Sequence, residues 1–231
     1  GLPVILAVDR GGVVSGDGCT HHGIFDISYL RCIPGLNLMA PADSASLCAM
    51  LNLAYELKAP AILRYPRAAA PELISPAPLV LGRAAIVREG RDLAVVSLGA
   101  LLGNALAAAE LLAAEGIQAR VIDARFAAPI DSRALHAAAA DCRGRILTLE
   151  ENVGPGGFGE ACRSLLADSE ADILTAHLPL EFLSHGCRET HIAAAGLDAA
   201  GTWPAKLPKV RRRRRTESHW VRHRAPHWYP C

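Results

Sequence analysis

The sequence predicts an α/β protein, with a partial α/β unit followed by a second α/β unit built on a mostly parallel sheet. Three observations carry that reading. Short apolar runs of Val, Ile, Leu and Ala recur along the chain and stop at Gly, Pro or charged residues, as strands buried on both faces do. Between them lie stretches with apolar residues at helical spacing, so strand and helix alternate, the pattern of parallel strands joined by crossover helices. The composition agrees, since 51% of residues are hydrophobic but only 5% aromatic, which suits Ala-rich helices covering a sheet.

Taken in order, the run Pro3-Val4-Ile5-Leu6-Ala7-Val8 predicts a strand over 3–8. It ends in Asp9-Arg10-Gly11-Gly12, and the following loop gathers Arg10, Asp17, Thr20, His21 and His22. Loops after parallel strands are where open α/β sheets place ligand chemistry, so this loop is the first candidate site. Strands are expected at 36–40 and 61–65, with a helix between them over 43–57. Asp43 is its candidate N-cap, and Leu47, Met50, Leu51 and Ala54 fall on one face. Pro71, Pro76 and Pro78 mark 68–80 as the linker, because Pro blocks both helix and central strand.

In the second unit, strands are expected at 84–88, 93–98, 119–124, 145–149 and 172–176, and helices at 102–115, 131–141 and 157–168. Leu102, Ala105, Leu106, Ala109 and Leu112 keep helical spacing, and Asp131 follows Pro129 as the cap of the second helix. An irregular segment runs to about residue 204. The expected organisation is therefore 1–80, 81–204 and a tail over 205–231.

The formal net charge of +1 hides an asymmetry. Residues 1–205 carry 15 Lys and Arg against 22 Asp and Glu, whereas 206–231 carry nine against one. The Arg211–Arg215 run favours a disordered tail, since like charges repel. No apolar run approaches the ~20 residues of a membrane span, so no membrane partner is expected. Seven scattered cysteines with no C-x-x-C pair suit reduced thiols in the cytoplasm and give no metal site. The chain opens at Gly1 in mid-pattern, so it reads as part of a larger protein.

Several motifs are more specific. Asp9-Arg10-Gly11-Gly12 is followed by Asp17-Gly18-x-Thr20-His21-His22-Gly23-x-Phe25-Asp26-x-Ser28-Tyr29-Leu30-Arg31-Cys32-Ile33-Pro34. Later come Arg64-Tyr65-Pro66-Arg67, Asp123-Ala124-Arg125-Phe126 with Pro129, Glu150-Glu151-Asn152 with Gly156-Gly157, and Gly196-Leu197-Asp198-Ala199-Ala200-Gly201. Together they resemble the 1-deoxy-D-xylulose-5-phosphate synthase family of transketolase-like enzymes over residues 1–204. The resemblance implies the latter part of a pyrimidine-binding domain, then a transketolase-type C-terminal domain. It implies condensation of pyruvate with glyceraldehyde 3-phosphate and loss of CO2, toward isoprenoid, thiamine and pyridoxal phosphate precursors. It also implies thiamine diphosphate and Mg²⁺ as cofactors, and a homodimer.

The cofactor-binding residues of that family, and its activating glutamate, are expected upstream of residue 1, so the chain alone is expected to be inactive. Gly16-Asp17-Gly18 imitates the family's Mg²⁺ motif, but its next asparagine, Asn37, stands too close. Arg10 and Arg67 match the residues expected to hold the acceptor's phosphate, which needs several charge-assisted donors. Arg64 is open between binding and a structural role. Where the family usually follows this motif with glycine, Ala68-Ala69-Ala70 stand here. His21 is the candidate acid/base, with Asp17 orienting it or binding substrate hydroxyls, and His22 supporting.

The Glu150–Gly159 stretch resembles a phosphate loop before a helix but lacks the Lys-Ser/Thr of a P-loop, and it is read as a structural turn. Two other readings stay open. One is a split-subunit 2-oxo-acid dehydrogenase β-like chain. The other is a non-catalytic relic whose basic tail meets nucleic acid.

Overall fold

The computed structural model describes residues 1–69, 71–72 and 78–202. The first unit contains β1 (Ile5–Val8), α1 (Asp26–Leu30), β2 (Asn37–Met39), α2 (Ser44–Leu57) and β3 (Ala61–Arg64). The second contains β4 (Ala85–Arg88), β5 (Leu93–Ser97), α3 (Leu102–Ala114), β6 (Ala119–Asp123), β7 (Phe126–Ala128) and α4 (Ser132–Asp141). It closes with β8 (Arg145–Val153), α5 (Phe158–Leu165), β9 (Asp172–Leu178) and α6 (Arg188–Ala194). A single 3-10 turn, Gly99–Leu101, leads into α3. Among the described residues no helix is long and apolar enough to cross a membrane.

Two sheets form. The five-stranded sheet runs β4-β6-β5-β8-β9, all parallel except β4. β5 is buried along its whole length, as its unbroken apolar run requires. Its alternate residues feed opposite faces: Leu93 and Val95 pack with Leu102, Ala105, Ala109 and Leu112 of α3, while Ala94 and Val96 pack with α4 and α5. The four-stranded sheet runs β1-β3-β2-β7. Its first three strands are parallel, and β7 joins β2 antiparallel from the second unit.

That exchange is set by a sharp corner. The chain leaves β6 at Asp123, Arg125 takes a left-handed φ of 62°, and the Ala40 N–H donates to the Arg125 carbonyl at 2.8 Å. One core therefore runs through both units, with Leu38 and Ile62 of the first packed with Val96, Ile122 and Phe158 of the second.

Local chemistry explains the helix starts. The Asp43 side chain accepts from the Ser46 N–H at 2.7 Å while the Ser46 hydroxyl accepts from the Asp43 N–H at 3.0 Å, a reciprocal capping box. Asp131 accepts from the Ala134 N–H at 3.0 Å and also from the Ala84 N–H at 3.1 Å, so it caps α4 and holds the entry to β4.

Four expectations change. Leu51 is 49% exposed, because Met50 and Ala54 centre the buried face of α2. The stretch up to 204 is not wholly irregular, since α6 forms within it. β7 and α1 appear where no element was expected, and β8 continues past 149 to Val153, so the Glu150-Glu151-Asn152 stretch is strand rather than turn. Residues 73–77 of the expected linker, Pro76 among them, and the basic tail over 205–231 lie outside the described residues.

Candidate active site

The candidate site stands at the C-terminal ends of β1 and β3. These neighbours are parallel and in register, with Val8 opposite Arg64, so Arg10 and Arg67 leave the same sheet edge. Arg10 takes a left-handed φ of 57° and turns the chain, and the Gly11 N–H then donates to the Tyr65 carbonyl at 2.9 Å. The loop from 10 to 23 is closed at its base. The Gly12 N–H donates to the Gly23 carbonyl at 2.7 Å, and the Gly23 N–H lies 3.0 Å from the Arg10 carbonyl. Gly12 has φ 87°, and a Cβ there would sit 2.4 Å from the Glu151 carboxylate, so no side chain fits.

Of the residues singled out in the sequence, the structure brings Arg67 and Asp17 together. Arg67 Nη1 donates to Asp17 Oδ2 at 2.9 Å in an exposed ion pair. Asp17 thus faces an arginine, not the adjacent histidine. His21 is exposed, and its Nδ1 shares a hydrogen bond of 2.9 Å with the Thr20 hydroxyl. Arg10 Nη1 donates to Asp9 at 2.9 Å, while its enclosed Nε has no partner among the described residues. Among the described residues neither Arg10 nor His21 is hydrogen-bonded to the Arg67–Asp17 pair. His22 is buried and structural: its Nδ1 accepts from the Val14 N–H at 2.9 Å, which leaves Nε2–H to face the Ser184 carbonyl at 3.3 Å. A cleft of about 470 Å³ opens beside the loop after β3, lined by Tyr65, Pro66, Ala68, Asp43, Asn104 and Arg188.

Arg64 has the structural part that the sequence left open. It is 4% exposed. Its Nε donates to Asp26 at 3.0 Å, and its Nη2 donates to the carbonyls of Gly23 at 2.9 Å and Glu151 at 2.7 Å. One guanidinium therefore ties the loop, α1 and β8 together. Glu151 Oε1 in turn accepts the Val13 N–H at 2.8 Å. Asp26 and Glu151 are the site's supporting residues that sequence reasoning passed over. The available signal was a carboxylate pair closing a buried strand, which needs donors from elsewhere.

The neighbouring Glu150 occupies the glycine turn before α5 from within the chain. Its carboxyl oxygens accept from the N–H groups of Phe158 at 2.7 Å and Gly159 at 2.8 Å, so the chain's own side chain fills the α5 N-terminus. Burial pushes the Glu150 carboxyl from 4.5 up to about 7, against the pull of those two N–H groups. Burial likewise raises Asp123 to about 6.

Both carboxyls hold protons in the folded state at pH values where the unfolded chain has lost them. Stability is therefore expected to fall as pH rises through about 4.5–7 and then level off for the Glu150 contribution. Urea unfolding of the parent chain and Glu150→Gln across this range checks it. The variant should show a shallower loss, whatever its offset at pH 5. Identical slopes would mean that Glu150 titrates normally.

Comparison with known proteins supplies the context. Residues 1–72 match the family "Transketolase, pyrimidine binding domain", and residues 82–201 match "Transketolase, C-terminal domain". A curated relative from Thermomicrobium roseum, 1-deoxy-D-xylulose-5-phosphate synthase, is 46% identical over 86% of this chain and 32% of its own length. The protein of that name from Anaeromyxobacter sp. is 45% identical over 87% of this chain and 33% of its own. A solved structure described as "Split gene transketolase, inactive beta4 tetramer" is 30% identical with a TM-score of 0.79, over 86% of this chain and 64% of that one. The chain thus spans about a third of the length of the curated relatives it matches.

Proposed function

The chain belongs to the transketolase family, and from that premise we propose that it supplies the acceptor side of a 1-deoxy-D-xylulose-5-phosphate synthase. The whole enzyme would condense pyruvate with glyceraldehyde 3-phosphate and release CO2. The observation that carries this reading is the sheet edge where Arg10 and Arg67 emerge from adjacent parallel strands, with Asp17 paired to Arg67 in the loop that bears His21. Identity of 39–46% to relatives of that name supports it.

Arg67 holds the acceptor's phosphate in this reading, with Arg10 beside it. The Arg67–Asp17 pair is no obstacle, because an exposed ion pair is worth only about 0–1 kcal/mol and yields to a dianion that takes several donors. Attack of a carbon nucleophile on the aldehyde leaves an alkoxide. His21 gives it a proton from Nε2, its Nδ1 being occupied at Thr20.

Thiamine diphosphate would supply the carbon nucleophile. The described residues do not fit its diphosphate: the glycine turn before α5 is filled by Glu150, and Asp17 of the Gly16-Asp17-Gly18 stretch is paired with Arg67. Binding of the cofactor and Mg²⁺ belongs to other parts of the enzyme in this reading. A homodimer and a cytoplasmic location complete the reading. The likeness to a split-gene transketolase chain favours a second arrangement, in which a separate polypeptide supplies the remainder.

Joining residues 1–202 to the first two-thirds of the Thermomicrobium roseum relative, in place of its own last third, tests the assignment. The expected result is 1-deoxyxylulose 5-phosphate from both substrates, at a rate within about tenfold of the relative's. A folded, cofactor-bound hybrid that makes none of this product would contradict the assignment.

A further inference from the structure

Arg188, the first residue of α6, stands between the candidate loop and the second unit. Its Nε donates to Glu151 Oε1 at 3.0 Å and its Nη2 donates to Glu151 Oε2, a forked pair with a carboxylate that is 2% exposed. The same Oε1 takes the Val13 N–H at 2.8 Å. The Arg188 backbone N–H donates to the Ser15 hydroxyl at 3.0 Å. Three residues earlier, His185 packs beside Gly18, where an added Cβ would lie 3.4 Å from the His185 Cβ. Ser184 takes the His22 contact. Residues 184–188 therefore lie along the loop and touch it at Ser15, Gly18 and His22.

We propose that Arg188 is a positioning residue, which with Glu151 clasps the Asp17–His21 loop to the second unit and so holds the acceptor site in register. Apart from this clasp the loop is held by its closure at Gly12–Gly23, by the Arg64–Gly23 and Val14–His22 hydrogen bonds and by the exposed Arg67–Asp17 pair. Val13 and Val14 are buried, but Ser15–Asp17 and Cys19–His21 are exposed, so no apolar packing orders them. Their geometry depends on hydrogen bonds, and the Arg67–Asp17 pair in their midst is exposed and weak. Glu151 also needs Arg188, since a buried carboxylate left with one N–H donor is strongly destabilised and turns toward water. Releasing Glu151 frees Val13, and with it the arm leading to Asp17. The fork matters as well as the charge, because two parallel donors fix the carboxylate plane in a way that one ammonium does not.

The loop's catalytic meaning rests on the function proposed above, but the clasp does not, and the two are tested apart. Amide hydrogen exchange is followed by NMR in the 231-residue chain, its Arg188→Gln variant and its Arg188→Lys variant. Val13 exchange should rise at least tenfold in the Gln variant and less in the Lys variant, with Val95 in the central strand changing less than twofold. An unchanged Val13 rate, or Val13 and Val95 rising together, would overturn the clasp. The second arm titrates glyceraldehyde 3-phosphate into each chain. Binding by the parent that weakens about 5- to 10-fold in the Gln variant, with partial recovery in the Lys variant, supports the link to the acceptor. Equal binding by all three breaks that link. A parent chain that does not bind counts against the proposed function alone, and the exchange rates still decide the clasp.

Discussion

Replacing Arg64 with alanine is expected to cost about 3–5 kcal/mol of folding stability, enough to unfold most of a marginal domain. The guanidinium is 4% exposed, and three acceptors converge on it from separate segments: the Asp26 carboxylate and the carbonyls of Gly23 and Glu151. Removing it leaves the Asp26 carboxylate, itself 2% exposed, buried without its cation. It also takes a donor from the buried Glu151 carbonyl, where an unsatisfied group costs about 1–3 kcal/mol, while the half-buried Gly23 carbonyl keeps the Gly12 N–H.

Arg64→Lys should recover only part, because one ammonium does not reach three acceptors in a plane. Arg64→Met combined with Asp26→Leu should cost far less than Arg64→Ala, since that pair removes both charges together. Urea unfolding of the 231-residue chain reads all three. A loss below about 1 kcal/mol for Arg64→Ala would mean that the buried network does not hold the two units together. The contrast lies three residues on, where Arg67 is 59% exposed and its alanine variant should hardly change stability.

That contrast also marks the limit of what the sequence discloses. Arg64 and Arg67 bracket the same Tyr-Pro step, and nothing local separates them. Their roles diverge because β3 ends at Arg64 inside the network, whereas Arg67 lies past the strand in the loop. β5 was legible because the apolar run Leu93-Ala94-Val95-Val96 is too short for a helix and follows the charged Arg91-Asp92. α2 and α4 were legible from Asp43 and Asp131, whose capping is a local bargain among four residues.

β7 was not legible. It is three residues long, Phe126–Ala128, and it forms because β2 of the other unit offers an edge. Glu150 and Glu151 lie within a buried strand, against their usual preference, because their donors come from the α5 N-terminus, from Val13 and from Arg188. Sequence spacing does not carry such long-range partners. Thr20 and His21 are neighbours in both sequence and space, but the Asp17–Arg67 pairing spans 50 residues and needed the fold.

The most direct test of the proposed acceptor site is Arg67→Ala in the joined protein described above. Loss of one charged donor to a phosphate should lower kcat/KM for glyceraldehyde 3-phosphate by about 10- to 150-fold, equivalent to ~1.5–3 kcal/mol. The exposure of Arg67 keeps the fold intact, so the loss reads binding and not unfolding. Pyruvate decarboxylation should change little, as pyruvate has no phosphate. Unphosphorylated glyceraldehyde, which offers Arg67 nothing to hold, should keep nearly its original kcat/KM. The expected result is therefore a selective loss for the phosphorylated acceptor; an equal loss for both acceptors would contradict the phosphate site and make Arg67 a structural residue.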